Sequence, residues 1–310
     1  MTDDLERLVA LAIRRRDGDI DELTAITGES PELLTPHLPA LLAAGVDYPA
    51  ALYSAADAEV RRELVARVDA GPGDLLALDH LLKALALTSG PESGDAFLRW
   101  RDAPPPGAEK LHVPVAFYLN FGGRALDGDA TRDLCGPVAY VLDVEEGAVV
   151  PEGVRCGDCD GPLWTALDLD TAEPAVAEAL AHTGWSGRLR VDLCHRCDFT
   201  ADVVFRDVAP DGTSTRSPHT PPGAGAESDP PTHRLVPGER SPARRPDVAA
   251  VGGLPEWTDD PRYPACPNCS ATMDYVAQIE LGDPWDSYLD GYLTFFLHTE
   301  CRLAAALCQG

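Results

Sequence analysis

The chain has 310 residues, with 51 Asp and Glu against 25 Lys and Arg, a formal net charge of −26, and 45% hydrophobic residues. The apolar content is that of a globular chain, and the length asks for two or three cores. The charge argues against nucleic acid or an anionic membrane surface as partner, because phosphate is held by Lys and Arg that release counterions. It leaves a well-solvated surface, or one that steers a basic protein.

MTDDLERLVALAIRRR opens acidic where a leader peptide would be basic, and no stretch reaches the ~20 apolar residues of a membrane span. A cytoplasmic location is the expectation. There, nine cysteines, eight of them in or near paired spacings, point to metal over disulfides.

Residues 1–106 read as a helical scaffold. Thr2, Asp3 and Asp4 can cap a helix carrying Leu5, Leu8, Val9 and Ala12 at 3.6-residue spacing. Ser30-Pro31-Glu32 reads as a second start, with Ser as cap and Pro in the first turn. Further helices are expected from Pro49 to Ala70, Asp74 to Ser89 and Glu92 to Arg101. Tight breaks between them suit a HEAT-like stack or an irregular bundle.

Residues 107–208 read as β-rich. VPVAFYL (113–119) and PVAYVLDV (137–144) have strand character, and Cys135 between them reads as a small buried hydrophobe. Cys156-Gly-Asp-Cys159 follows, then Cys194-His-Arg-Cys197 after 34 residues, with strand-like runs and one helix-like insertion between. Two CxxC knuckles joined by strands describe a zinc ribbon. Residues 209–250 are rich in Pro, Gly, Ser and Thr and poor in apolar side chains, so a linker or long loop is expected. Its Arg234, Arg240, Arg244 and Arg245 could lie against acidic residues.

Residues 251–310 hold a second constellation. Cys266-Pro-Asn-Cys269 precedes His298-Thr-Glu-Cys301 by 28 residues. Cys308 competes with His298 as fourth ligand. RLAAALC after Cys301 is rich in helix formers, and a helix there would carry Cys308 roughly 10 Å away, which favours His298. The expected ligand sets are therefore Cys156, Cys159, Cys194, Cys197 and Cys266, Cys269, His298, Cys301, holding two structural zinc ions. The two ribbons also align weakly: Leu163 falls on Met273, Leu169 on Ile279 and Asp170 on Glu280.

Gly252-Gly253-Leu254-Pro255, Tyr263-Pro264, the run Met273 to Leu281 and the run Gly291 to Leu297 together resemble the YwqG-like family of bacterial proteins of unknown function. Many members of that family lack this knuckle, and the resemblance implies no catalytic residues. Independently of it, Gly252-Gly253 suits a turn that Cβ atoms would block. Gln278 reads as a core amide with partners, and Trp257 and Trp285 as packing residues.

No HExxH, Walker A, GxSxG or post-strand GxGxxG motif occurs. The deaminase pattern needs HxE before PCxxC, and here the order is reversed. The overall expectation is an α+β chain, a helical region followed by β-rich zinc-ribbon-like domains. Its expected role is non-enzymatic: a protein-interaction module, of which an immunity- or antitoxin-like protein is one version. A zinc-dependent hydrolase or deaminase and a zinc-responsive regulator are the alternatives.

Overall fold

The structure is a computed structural model that describes residues 2–15, 20, 22–25, 30–147, 153–223, 233–244, 249–281 and 291–309. The chain divides into two units, Met1–Arg132 and Asp133–Gly310. Among the described residues, no helix is long and apolar enough to cross a membrane.

The first unit is helical: α1 (Thr2–Arg15), α2 (Leu38–Ala43), α3 (Ala58–Ala70), α4 (Leu75–Leu87) and α5 (Pro91–Asp102), with 3-10 turns between. The expected Pro49–Ala70 helix is broken. Ala50–Tyr53 is a separate 3-10 turn, and Asp57 starts α3 by accepting the Glu59 and Val60 N–H groups, each at 3.0 Å. Asp74 caps α4 through the Ala77 N–H at 2.8 Å. Ser30 precedes a 3-10 helix, Pro31–His37, without a side-chain capping bond.

VPVAFYL is not a strand. Val115–Gly122 is a 3-10 helix whose buried residues Val115, Tyr118 and Leu119 recur at helical spacing. Its Tyr118 hydroxyl donates to Asp79 at 2.8 Å, and a Cβ at Gly122 would collide with the Ala86 carbonyl on α4. The hairpin of β1 (Arg124–Asp127) and β2 (Ala130–Asp133) follows. Buried Arg124 ties it to the end of α4 by donating to the Ala86 and Thr88 carbonyls, both at 2.8 Å. The helical core thus captures residues beyond 106, and the division falls at 132/133.

The second unit is built on one antiparallel sheet. Its strands are β3 (Ala139–Glu146), β6 (Val203–Val208), β7 (Ser214–Arg216), β8 (His233–Arg240), β9 (Ala250–Gly252), β10 (Asp274–Leu281), β11 (Gly291–His298) and β12 (Leu303–Gln309). Their spatial order is β7-β6-β12-β11-β10-β9-β3-β8. A two-stranded sheet of β4 (Trp164–Asp170) and β5 (Arg188–Leu193), with α6 (Pro174–Ala179), shares a core with it. β11 is central, and both of its faces are buried. Leu293, Phe295 and Leu297 join that shared core, while Phe296 meets Trp257, Tyr263 and Tyr275 on the other face.

Two expectations fail here for one reason, that long-range pairing overrides local composition. RLAAALC is strand β12, not a helix, because β6 and β11 lie on its two sides. The stretch 209–250, expected as a linker, supplies β7 and β8 to the sheet edges. Consequently 251–310 is not a separate β layer: β9 to β12 lie side by side at the centre of the sheet, flanked by β6 and β7 on one side and by β3 and β8 on the other. Arg234 pairs with Glu145 at 2.5 Å and Arg240 with Glu178 at 3.5 Å, while Arg245 lies outside the described residues.

The Gly252-Gly253 turn has φ of 72° at both residues, and a Cβ at Gly252 would sit 2.5 Å from the Val138 carbonyl. Trp257 stacks on Phe296 with ring centroids 6.4 Å apart, and Trp285 lies outside the described residues. Gln278 is a satisfied core amide. It donates to the Glu256 carbonyl at 2.7 Å and to Thr294 Oγ1 at 2.9 Å, and accepts the Glu256 N–H at 2.7 Å.

Candidate metal centres

Each constellation grows from the same local structure. Cys156 and Cys266 begin a tight turn in which their N–H groups donate to Gly161 (2.9 Å) and Ala271 (2.8 Å). The residue after the second cysteine is left-handed in both, Asp160 at φ 55° and Ser270 at φ 67°. Asp and Ser are short enough to sit there at modest cost. A strand then leaves each knuckle, β4 at Trp164 and β10 at Asp274, and its partner strand returns to the second ligand pair.

The equivalence extends to register. Trp164 faces Leu193 as Asp274 faces Leu297, and Asp170 faces Arg188 as Glu280 faces Tyr292. Both strands slip register at the same place, between Thr165 and Leu167 and between Tyr275 and Ala277. A bulge reverses side-chain parity. Neighbours Ala166 and Leu167, like Val276 and Ala277, therefore both enter the shared core, while Tyr275 turns to the opposite face.

The structure brings all eight expected ligands together. In the first cluster the four cysteine sulfurs lie within 4.8 Å of one another, and so do the three sulfurs and one imidazole nitrogen of the second. Cys159 Sγ is 3.6 Å from Cys194 Sγ, and Cys269 Sγ is 3.6 Å from His298 Nε2. A tetrahedral ion with ~2.3 Å metal–sulfur and ~2.0 Å metal–nitrogen bonds implies edges of about 3.8 and 3.5 Å, so both sets fit. Every cysteine is free of disulfide bonds. Cys308 is absent from the cluster, paired across β11 with Leu293. Buried Cys135 lies 3.3 Å from the Tyr263 hydroxyl.

The thiols differ in electrostatics. Burial pushes Cys194 and Cys301 up to about 12, and pushes Cys197 up as well. Cys159 falls below the usual thiol range: burial opposes this, but the backbone of Gly161 and the neighbouring thiols outweigh it. Cys269 also falls, chiefly through the backbone of Ala271. A metal replaces these thiol protons on binding. In the second cluster the Cys301 N–H also lies 3.2 Å from His298 Nδ1. Ligation through Nε2 places the ring proton on Nδ1, so metal binding must loosen that contact.

Sequence reading missed the residues that hold the knuckles. Asp198, directly after Cys197, accepts the Cys194 N–H at 2.7 Å. The end of β7 and the segment after it touch both knuckles: Arg216 donates to Asp158 at 2.8 Å, and His219 Nε2 lies 2.9 Å from Asn268 Oδ1. A Cβ at Gly223 would meet that of Cys197. Asp198 alone had a local signal, as a short acid at the start of a 3-10 turn. Asp168 makes a bidentate pair with Arg188, both contacts at 2.6 Å.

No family model matches the chain, and no solved structure does. It is similar to a Salmonella typhimurium protein named "Uncharacterized protein YpfL", 28% identical in an alignment of 256 positions that covers 74% of this chain. The chain spans 58% of the length of that relative.

Proposed function

We propose that this is a cytoplasmic, non-enzymatic zinc protein, in which two structural ions rigidify a β unit that binds a protein partner. The observation that carries the reading is that each cluster supplies four sulfur or nitrogen donors to one point. Four protein ligands complete a tetrahedral zinc and leave no position for a reacting water, which separates structural from catalytic sites. Thiolate and imidazole donors select zinc over hard cations. The acidic excess favours a basic partner.

Elemental analysis of chain purified without added metal should find close to two zinc ions per chain. A value near zero in protein kept reduced throughout would sink the zinc assignment. Capture from lysate should recover a basic protein whose association weakens steeply with salt, since exposed charges are screened within ~10 Å at 0.1 M. Salt-independent binding, or an acidic partner, would leave the charge as solubility alone.

One observation favours a second reading, the zinc-responsive regulator: Cys269 is exposed and Cys301 half-buried. Under that reading a chelator removes one ion quickly and the other slowly, and the partner dissociates with the fast phase. Retention of the partner through that phase would reject it.

A further inference from the structure

Beside the first metal cluster lies a cavity of about 110 Å³, lined among others by Arg155, Arg206, Arg216, Ser214 and Asp198. We propose that it binds a small phosphate-type oxyanion, held by the three arginines. This goes beyond the metal-stabilised module and does not depend on what partner that module takes.

Arg206 carries the inference. It is 3% exposed, and its Nε has no hydrogen-bond partner. A buried donor left unsatisfied costs free energy that a bound acceptor returns. Arg206 on β6 and Arg216 on β7 are also direct cross-strand partners. Like charges placed opposite one another in a sheet repel, unless something negative lies between them. Such a concentration of positive charge runs against a chain with 51 acidic and 25 basic residues.

Asp198 and Asp192 attract Arg206, but neither accepts from its Nε, and the acids nearby have other donors: Asp192 accepts from Thr165 at 2.7 Å and from Arg190 at 2.8 Å. Asp158 accepts from Arg216 at 2.8 Å and from the Gly223 N–H at 3.1 Å, and Asp198 accepts the Cys194 N–H at 2.7 Å. Arg216 is held in place through the Thr220 carbonyl at 3.3 Å and the Pro221 carbonyl at 2.5 Å. Metal-bound thiolates would answer part of the charge, but sulfur is a weak acceptor for the Arg206 Nε–H. A planar guanidinium matches paired oxygens, which selects an oxyanion over a halide. The cavity exceeds the ~30 Å³ share of a single water.

The test is calorimetric titration of inorganic phosphate into the zinc-loaded full chain at constant ionic strength balanced with chloride. Saturable binding of one phosphate per chain is expected, weakened at least about tenfold by Arg206→Gln and by Arg216→Gln. Arg262→Gln, which loses only the surface pair with Asp202, should bind as wild type. Zinc content is measured for each variant. Should Arg206→Gln lose zinc, the exposed Arg155→Gln with both ions retained decides, and it too should weaken binding. Methyl phosphate titrated in parallel assigns the source: equal uptake points to an esterified phosphate, exclusion to the free ion. Absence of saturable phosphate binding by wild type, or undiminished binding by zinc-loaded Arg155→Gln and Arg216→Gln, would overturn the proposal.

Discussion

The two ribbons share a knuckle turn, a register and a bulge, yet they are supported differently. β4 and β5 form a sheet of their own, whereas β10 and β11 are flanked by β9 and β12 within the eight-stranded sheet. The ligands reverse that order. Cys156, Cys194 and Cys197 are buried with Leu163 in a small cluster, while Cys269 at the second site is exposed. In the first ribbon a bound metal would hold two strands that have little other backbone pairing. In the second the sheet holds the hairpin, and a bound metal would fasten its tip.

The largest expected effect tests this directly. Cys194→Ser and His298→Ala should each lower zinc from two ions to one. Structural zinc is worth ~10–16 kcal/mol of apparent binding in small peptides. Cys194→Ser should therefore expose the 133–310 unit to protease and abolish its cooperative melt. His298→Ala should keep a cooperative, lower-temperature transition. Equal damage from the two, measured by limited proteolysis and calorimetry, would erase the distinction between the ribbons.

A smaller effect concerns the sheet behind the second ribbon. Phe296→Ala removes a fully buried ring that meets three other aromatics, and should cost about 3–5 kcal/mol by denaturant midpoint with both zinc ions retained. Loss of zinc in that variant would mean that the sheet and the metal site are one cooperative element.

Smaller still are two substitutions at the same place in the repeated plan, Gln278 on β10 and Asp168 on β4. Gln278→Leu leaves the Glu256 N–H and Thr294 Oγ1 without their partner, an expected loss of about 1–3 kcal/mol. Asp168→Ala breaks a pair whose Arg188 is half exposed, and should cost about 0–1 kcal/mol. The ratio measures how deeply each ribbon is embedded, and a larger cost at Asp168 would reverse it.

Much of the metal chemistry was legible because ligand spacing is local. CxxC and HTEC place two donors on one turn, and the turn needs only its own residues. His298 was separable from Cys308 by sequence, although the helix expected after Cys301 is strand β12. The outcome survived because a strand carries Cys308 away from the knuckle as surely as a helix does. The opposite happened at 113–119, where burial of Val115, Tyr118 and Leu119 at helical spacing was read as a strand. An apolar run has no visible period until the surface it packs against is known.

The sequence by itself determined the eight residues that converge in two clusters, the Gly252-Gly253 turn and the change from helical to β-rich composition, since each rests on patterns of residues close together in the chain. Tertiary structure alone decided which strands lie side by side. It drew β7 and β8 out of a Pro- and Gly-rich stretch, and it placed Arg206 opposite Arg216 beside the first metal cluster. Sheet pairing is set by contacts between residues far apart in the chain, and a strand at an edge needs backbone hydrogen bonds more than apolar side chains.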